Sequence, residues 1–117
     1  MSKYFKPSEM ACKCGCGKSY MDNDIYTYLD IAREFADVPF VINSGYRCEK
    51  HNKAVGGKET SSHLKGLAVD IKATTSRDRA KIIHGLVLAG FTRIGIGREF
   101  VHADMDMDKS QDVMWLY

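Results

Sequence analysis

The sequence predicts an α+β fold, a small and mainly antiparallel sheet with two main helices against one face. Three observations point there. Two long stretches space their apolar residues at helical intervals, several short stretches are β-branched or alternating, and 117 residues suit one domain. With 44% hydrophobic and 27% charged residues, a core of moderate size can form without a disulfide scaffold. Residues 1–117 are read as a single domain, and residues 1–20 as an irregular, cysteine-containing N-terminal arm.

The first helix is expected from Asp22 to Ala36. Ile25, Tyr28, Leu29, Ala32 and Phe35 follow its spacing, and Asp22 or Asn23 can cap it. Val38 to Ile42 reads as a short strand and Ser44-Gly45 as a turn. Arg47 to Val55 reads as a short helix stopped by Gly56-Gly57. Leu67 to Ile71 alternates as a strand, with Leu67, Val69 and Ile71 opposite Ala68 and Asp70. Ser76 is expected to cap the second long helix, which carries Ala80, Ile83, Leu86 and Val87 and ends at Gly90. Phe91–Ile96, Phe100–Met105 and Val113–Tyr117 complete the sheet. In the second of these, His102 and Asp104 share the face opposite Val101, Ala103 and Met105.

A formal charge of +2, with no basic stripe, argues against a nucleic-acid partner. No apolar run approaches the ~20 residues of a membrane helix, so membrane insertion is not expected. The N-terminus lacks the apolar core of a secretory signal, so the protein is expected to accumulate in the cytoplasm. A monomer is expected. In such a reducing compartment, disulfides are not the first expectation for Cys12, Cys14, Cys16 and Cys48.

The chemistry is expected at polar strand positions. A charged Asp70 between Val69 and Ile71 is costly unless it is solvated or paired. For one such residue, a solvated sheet face is the simpler explanation. Taken together, His63, Asp70 and His102 form a set of two imidazoles and one carboxylate, which suits a catalytic zinc with an open fourth position. Glu99, three residues before His102, fits a general base better than a ligand. On a strand, positions three apart face opposite sides, so Glu99 must sit in the loop of Gly97 and Arg98 to point inward.

Three motifs occur in order: Ser44-Gly45-Tyr46-Arg47 with His51-Asn52 and Gly56-Gly57; Ser61-x-His63-x-x-Gly66-x-Ala68-x-Asp70; and Glu99-x-x-His102-x-Asp104. From about Phe5 to Trp115 the chain resembles the zinc D-alanyl-D-alanine carboxypeptidases, D-alanyl-D-alanine dipeptidases and phage L-alanyl-D-glutamate endopeptidases. The resemblance implies a zinc metallopeptidase of the hedgehog/D-Ala-D-Ala-peptidase-like fold, acting on peptidoglycan stem peptides. It makes His63, Asp70 and His102 the zinc ligands and Glu99 the base. Arg47 would stabilise the oxyanion and Ser61 would contact the substrate backbone. An endolysin, reaching the cell wall after membrane breach, fits a chain of this kind. Endopeptidase and carboxypeptidase both remain open, because the choice depends on whether the cleft closes beyond the leaving residue. The hedgehog signalling domain shares the fold and zinc site, so a non-catalytic zinc-binding or interaction module is the alternative.

Other residues have plainer readings. His51 orders its loop, His84 is a surface or packing residue, and Trp115, Tyr46 and Phe100 are core or cleft wall. Asp104 either orients a ligand histidine or is a solvated sheet residue. His102-x-Asp104 also has the form of an iron facial triad, but no later histidine exists to complete one. If residues 12–16 are extended, Cys12, Cys14 and Cys16 share a face and, with Cys48, could bind a second, structural zinc. Their spacing is tighter than the usual C-x2-C knuckle, and free thiols or a disulfide involving Cys48 are the other readings.

Overall fold

The computed structural model describes residues 2–117. Helices α1 (Asn23–Ala36), α2 (Glu49–Ala54) and α3 (Ser76–Ala89) accompany strands β1 (Ile42–Ser44), β2 (Ala68–Lys72), β3 (Arg93–Ile96), β4 (Phe100–Asp104) and β5 (Val113–Leu116). The strands form one sheet in the order β1-β2-β4-β3-β5. All neighbours are antiparallel except β3 and β5, which run parallel. The expected α+β class and mainly antiparallel sheet are observed, with α1 and α3 packed together on one face.

Local chemistry fixes the helix ends. The Asp22 carboxylate accepts from the Asp24 backbone N–H at 2.9 Å and caps α1. Thr75, one residue before the expected Ser76, caps α3 by accepting from the Asp78 N–H at 3.0 Å. Gly90 ends α3 in the left-handed conformation.

The buried stripes differ in part from the apolar periodicity. Helix α1 buries Ile25, Leu29, Ala32 and Ala36, whereas Tyr28 and Phe35 are exposed. Helix α3 buries Ile82, Gly85, Leu86 and Ala89, and leaves Ala80 and Val87 exposed. Small residues let the two helices approach closely, and hydrophobicity alone underrates them. Truncating fully buried Leu29 or Leu86 to alanine is worth about 2–5 kcal/mol by the usual cost of such cavities.

One further correction concerns the N-terminal half. The expected strand from Val38 is delayed to Ile42, because Pro39 has no N–H for a ladder, and it continues to Ser44. The N-terminal arm packs onto the core. Its Pro7–Met10 segment forms a 3-10 turn, and Phe5 and Met10 are buried in the core.

Strand β4 lies at the centre of the sheet, and both its faces are covered. Val101 and Ala103 join the core beneath the helices, while His102 and Asp104 are buried on the other face. The β2–β4 register sets Asp70 opposite His102, and the β3–β4 register sets Gly95 on the other side of His102. Ser44 and Trp115 extend this row to the two edges of the sheet.

Candidate metal centre

The cleft lies on the sheet face opposite the helices and has a volume of about 540 Å³. A larger hollow of about 900 Å³ lies between residues 2–7 and α1, away from any metal-ligating group among the described residues. The cleft floor is the expected triad. His63, Asp70 and His102 each offer a ligand atom, and the three atoms lie within 4.8 Å of one another.

Three pieces of local structure aim these donors. His63 sits in the 3-10 turn Ser62–Lys65, whose N-cap Ser61 accepts from the His63 N–H at 3.3 Å. Its Nδ1 lies 2.7 Å from the Gly45 carbonyl, which can only accept. Nδ1 therefore carries the proton and Nε2 is left as a donor pair, 3.4 Å from Asp70 Oδ2. His102 uses the other nitrogen. Its Nδ1 faces Asp70 Oδ1 at 2.9 Å, and its Nε2 lies 2.7 Å from Asp104 Oδ2. With Nε2–H donating to Asp104, Nδ1 is free to bind a metal. His63 Nε2, an Asp70 oxygen and His102 Nδ1 thus form an N,N,O set, which suits zinc and leaves a position open to the cleft.

The electrostatics suit a cation. Burial opposes the Asp70 charge, yet hydrogen bonds and charge interactions with His102 and His63 outweigh it and hold the carboxyl well below its usual range. Burial likewise opposes protonation of His102, while Asp104 and Asp70 together raise its pKa above the ordinary value. Asp104 is almost fully buried and also accepts from Arg93 Nε at 2.7 Å, which fixes its carboxylate from the far side. Asp104 is therefore buried and orients the ring of His102, a candidate ligand, rather than being a solvated sheet residue.

The walls are aromatic and cationic. Trp115 lies with its ring centroid 5.6 Å from that of His102, and Arg93 stacks over Trp115 at 5.0 Å. Gly95 makes this possible, since a Cβ there would come within 2.7 Å of Trp115 Nε1. Phe100 and Tyr117 complete this wall, so Trp115 and Phe100 occupy their expected place. Tyr46 instead packs on Tyr20, outside the cleft lining.

Arg47 and Ser61 are brought to the site. Arg47 Nη2 donates to Ser61 Oγ at 3.1 Å, while its buried Nε has no hydrogen-bond partner among the described residues. Ser61 Oγ accepts from Arg47 and from His63, which leaves its own O–H to donate into the cleft. Glu99 is not brought in. It occupies the expected β3–β4 loop, but it is exposed and lies outside the residues that line the cleft. Its backbone carbonyl accepts from the Ala73 N–H at 2.9 Å, which anchors the loop at the sheet end beyond the metal ligands.

His51 donates its backbone N–H to Cys48 Sγ, in keeping with a loop-ordering role, and His84 is exposed on α3. Asp106 was not anticipated. It is buried, and it accepts from Ser62 Oγ at 2.8 Å and from Lys65 Nζ at 3.1 Å, tying the ligand-bearing turn to the segment after β4. The alternation of residues 102, 104 and 106 was its one sequence signal.

No curated protein matches the chain significantly. Residues 3–104 match the family described as Peptidase M15, a family of zinc D-Ala-D-Ala carboxypeptidases and endopeptidases. That match spans most of the chain and includes His63, Asp70 and His102, the cluster on the cleft floor that could hold a metal ion. The chain belongs to the peptidase M15 family, and the family and the cluster together support a metal-dependent enzymatic activity in general terms.

Proposed function

We propose that the protein hydrolyses peptide bonds in the stem peptides of peptidoglycan. The observation that carries this reading is the convergence of His63 Nε2, Asp70 and His102 Nδ1 on the floor of an open cleft, with Gly45 and Asp104 holding the two rings in the required tautomers. A zinc held there supplies an acidified water and a Lewis acid for the scissile carbonyl.

The remaining work falls to the chain itself. Arg47, whose Nε has no partner among the described residues, stabilises the negative charge that develops on the carbonyl oxygen. Ser61 donates its hydroxyl proton to a backbone carbonyl of the substrate. Glu99 takes a proton from the attacking water and returns it to the leaving nitrogen. This requires the exposed Glu99 side chain to turn from solvent into the cleft when substrate enters. Arg47 and Lys58 at the cleft suit the carboxylates of a stem peptide.

A specific observation favours a second reading, a non-catalytic zinc module of the same fold: Glu99 stands outside the cleft. One experiment separates the two. Purified peptidoglycan is digested with zinc-loaded protein, and the soluble products are analysed by mass spectrometry. The peptidase reading expects new termini within stem peptides, absent with Asp70→Ala. Intact peptidoglycan in the presence of stoichiometric zinc would establish the non-catalytic module.

A further inference from the structure

We propose that Cys12, Cys14, Cys16 and Cys48 bind a structural zinc, and that this zinc holds the 45–48 segment in place beside the catalytic cleft. The first argument is metric. A tetrahedral zinc with Zn–S bonds of about 2.3 Å requires sulfurs about 3.8 Å apart. Cys12 Sγ lies 3.5 Å from Cys14 Sγ and 3.7 Å from Cys48 Sγ, and Cys14 and Cys48 are 3.7 Å apart. Cys16 completes the set, with all four sulfurs within 4.8 Å of one another. All four are free thiols, so no pair is already consumed by a disulfide. The set is sulfur-only and four-coordinate, which describes a closed structural site rather than a catalytic one.

The tight C-x-C-x-C spacing works because the segment is not extended. Residues 13–16 turn, the Gly15 N–H donates to the Cys12 carbonyl at 3.4 Å, and Gly15 adopts φ +87°. This turn folds three sulfurs toward one point. Two backbone N–H groups already point at sulfur, Cys48 N at Cys12 Sγ and His51 N at Cys48 Sγ, both at 3.4 Å. Such donors stabilise thiolates, and each cysteine releases its thiol proton to solvent as its sulfur takes the metal. Lys13 and Lys18, in the same loop, partly offset the negative charge of a zinc tetrathiolate.

The placement gives the site its consequence. Cys48 directly follows Arg47, and Gly45 supplies the carbonyl that orients His63. The arm also meets this segment directly, since the Tyr46 N–H donates to the Met10 carbonyl at 2.9 Å. A Cβ at Gly45 would come within 2.9 Å of Met10 backbone atoms, so the contact is close-fitting. A zinc between Cys48 and the arm therefore restrains both ends of the segment, and its four residues act as positioning residues for Arg47 and His63.

The test uses metal stoichiometry and thiol protection, neither of which depends on peptidase activity. The purified protein is expected to carry two zinc ions per chain, and His63→Ala is expected to retain one. Cobalt substitution of His63→Ala should give intense sulfur-to-metal charge-transfer absorption. All four thiols should resist a thiol reagent until a chelator is added. Cys14→Ser, at an exposed position that leaves no core cavity, should bind only one zinc and lose the charge-transfer band. Its kcat should fall while zinc at the catalytic site is kept. A His63→Ala protein that is metal-free, or one whose four thiols react at once without chelator, would overturn the proposal. So would bound iron in place of zinc, or a Cys14→Ser protein that still carries two metals.

Discussion

Asp104 Oδ2 lies 2.7 Å from His102 Nε2, on the side of the ring opposite the nitrogen that faces Asp70. One imidazole is thereby gripped between two carboxylates, one orienting it and the other placed to share a metal with it. Asp104→Asn should weaken this grip, because the amide can present an N–H to the ring and stabilise the wrong tautomer. Zinc affinity or turnover should fall about 10–100-fold, the usual range for such partners. Metal titration against a competing chelator checks it, and wild-type affinity together with wild-type kcat would remove Asp104 from this role.

Arg47→Lys should keep zinc and lose turnover. Lysine retains charge but has no planar fork with which to hold both Ser61 Oγ and a carbonyl oxygen. A loss of about 10²-fold in kcat is expected, comparable to removal of one oxyanion donor. Single-turnover kinetics alongside zinc analysis provides the measurement, and an unchanged kcat would make Arg47 structural.

Glu99→Gln should leave fold and zinc unchanged, since the side chain is exposed and is not among the ligands. If Glu99 swings inward to act as base, kcat should drop about 10²–10⁴-fold. Full activity in this variant would assign proton transfer to another group.

Asp106 predicts a pH dependence of stability. Burial opposes its charge, but hydrogen bonds from Ser62 and Lys65 outweigh this and lower its pKa below the usual carboxylate value. A depressed folded-state pKa stabilises the fold above the unfolded-state pKa, and that contribution disappears as pH falls through the folded-state value. Asp106→Asn should therefore cost about 1–3 kcal/mol at neutral pH, as expected for hydrogen bonds to a charged group. The difference from wild type should shrink on acidification below about pH 4, near the ordinary carboxylate value. Urea denaturation at a series of pH values measures it, and a pH-independent difference would exclude the charge as the cause.

The clustering of His63, Asp70 and His102 was legible because its parts occur within two short segments. The Ser61–Asp70 motif carries two donors at fixed spacing, and alternation in β4 separates His102 from Val101 and Ala103. Arg93 was not legible. Its ion pair with Asp104 depends on the β3–β4 register, which pairs these two residues directly, and single-strand patterning does not encode register. Glu99 shows the opposite difficulty. Its spacing from His102 allowed an inward orientation, but the hairpin geometry turns it outward. The cysteines were read on an extended backbone, whereas Gly15 and Gly17, both with positive φ, produce a turn. Helix faces shifted for a simpler reason: Gly85 and Ala36 pack well but carry little hydrophobic signal.

The pairing of Asp70 with His102 across β2 and β4 also couples assembly of the centre to folding of the sheet. Strand residues alternate between faces, so a slip of one residue in either strand would turn its ligand toward the helices and expose Val69 or Val101 in its place. The same apolar residues that select the native register therefore act as a proofreading device for the metal centre. A misregistered sheet cannot present both ligands, and metal uptake by a refolding sample would serve as a built-in reporter of correct strand alignment.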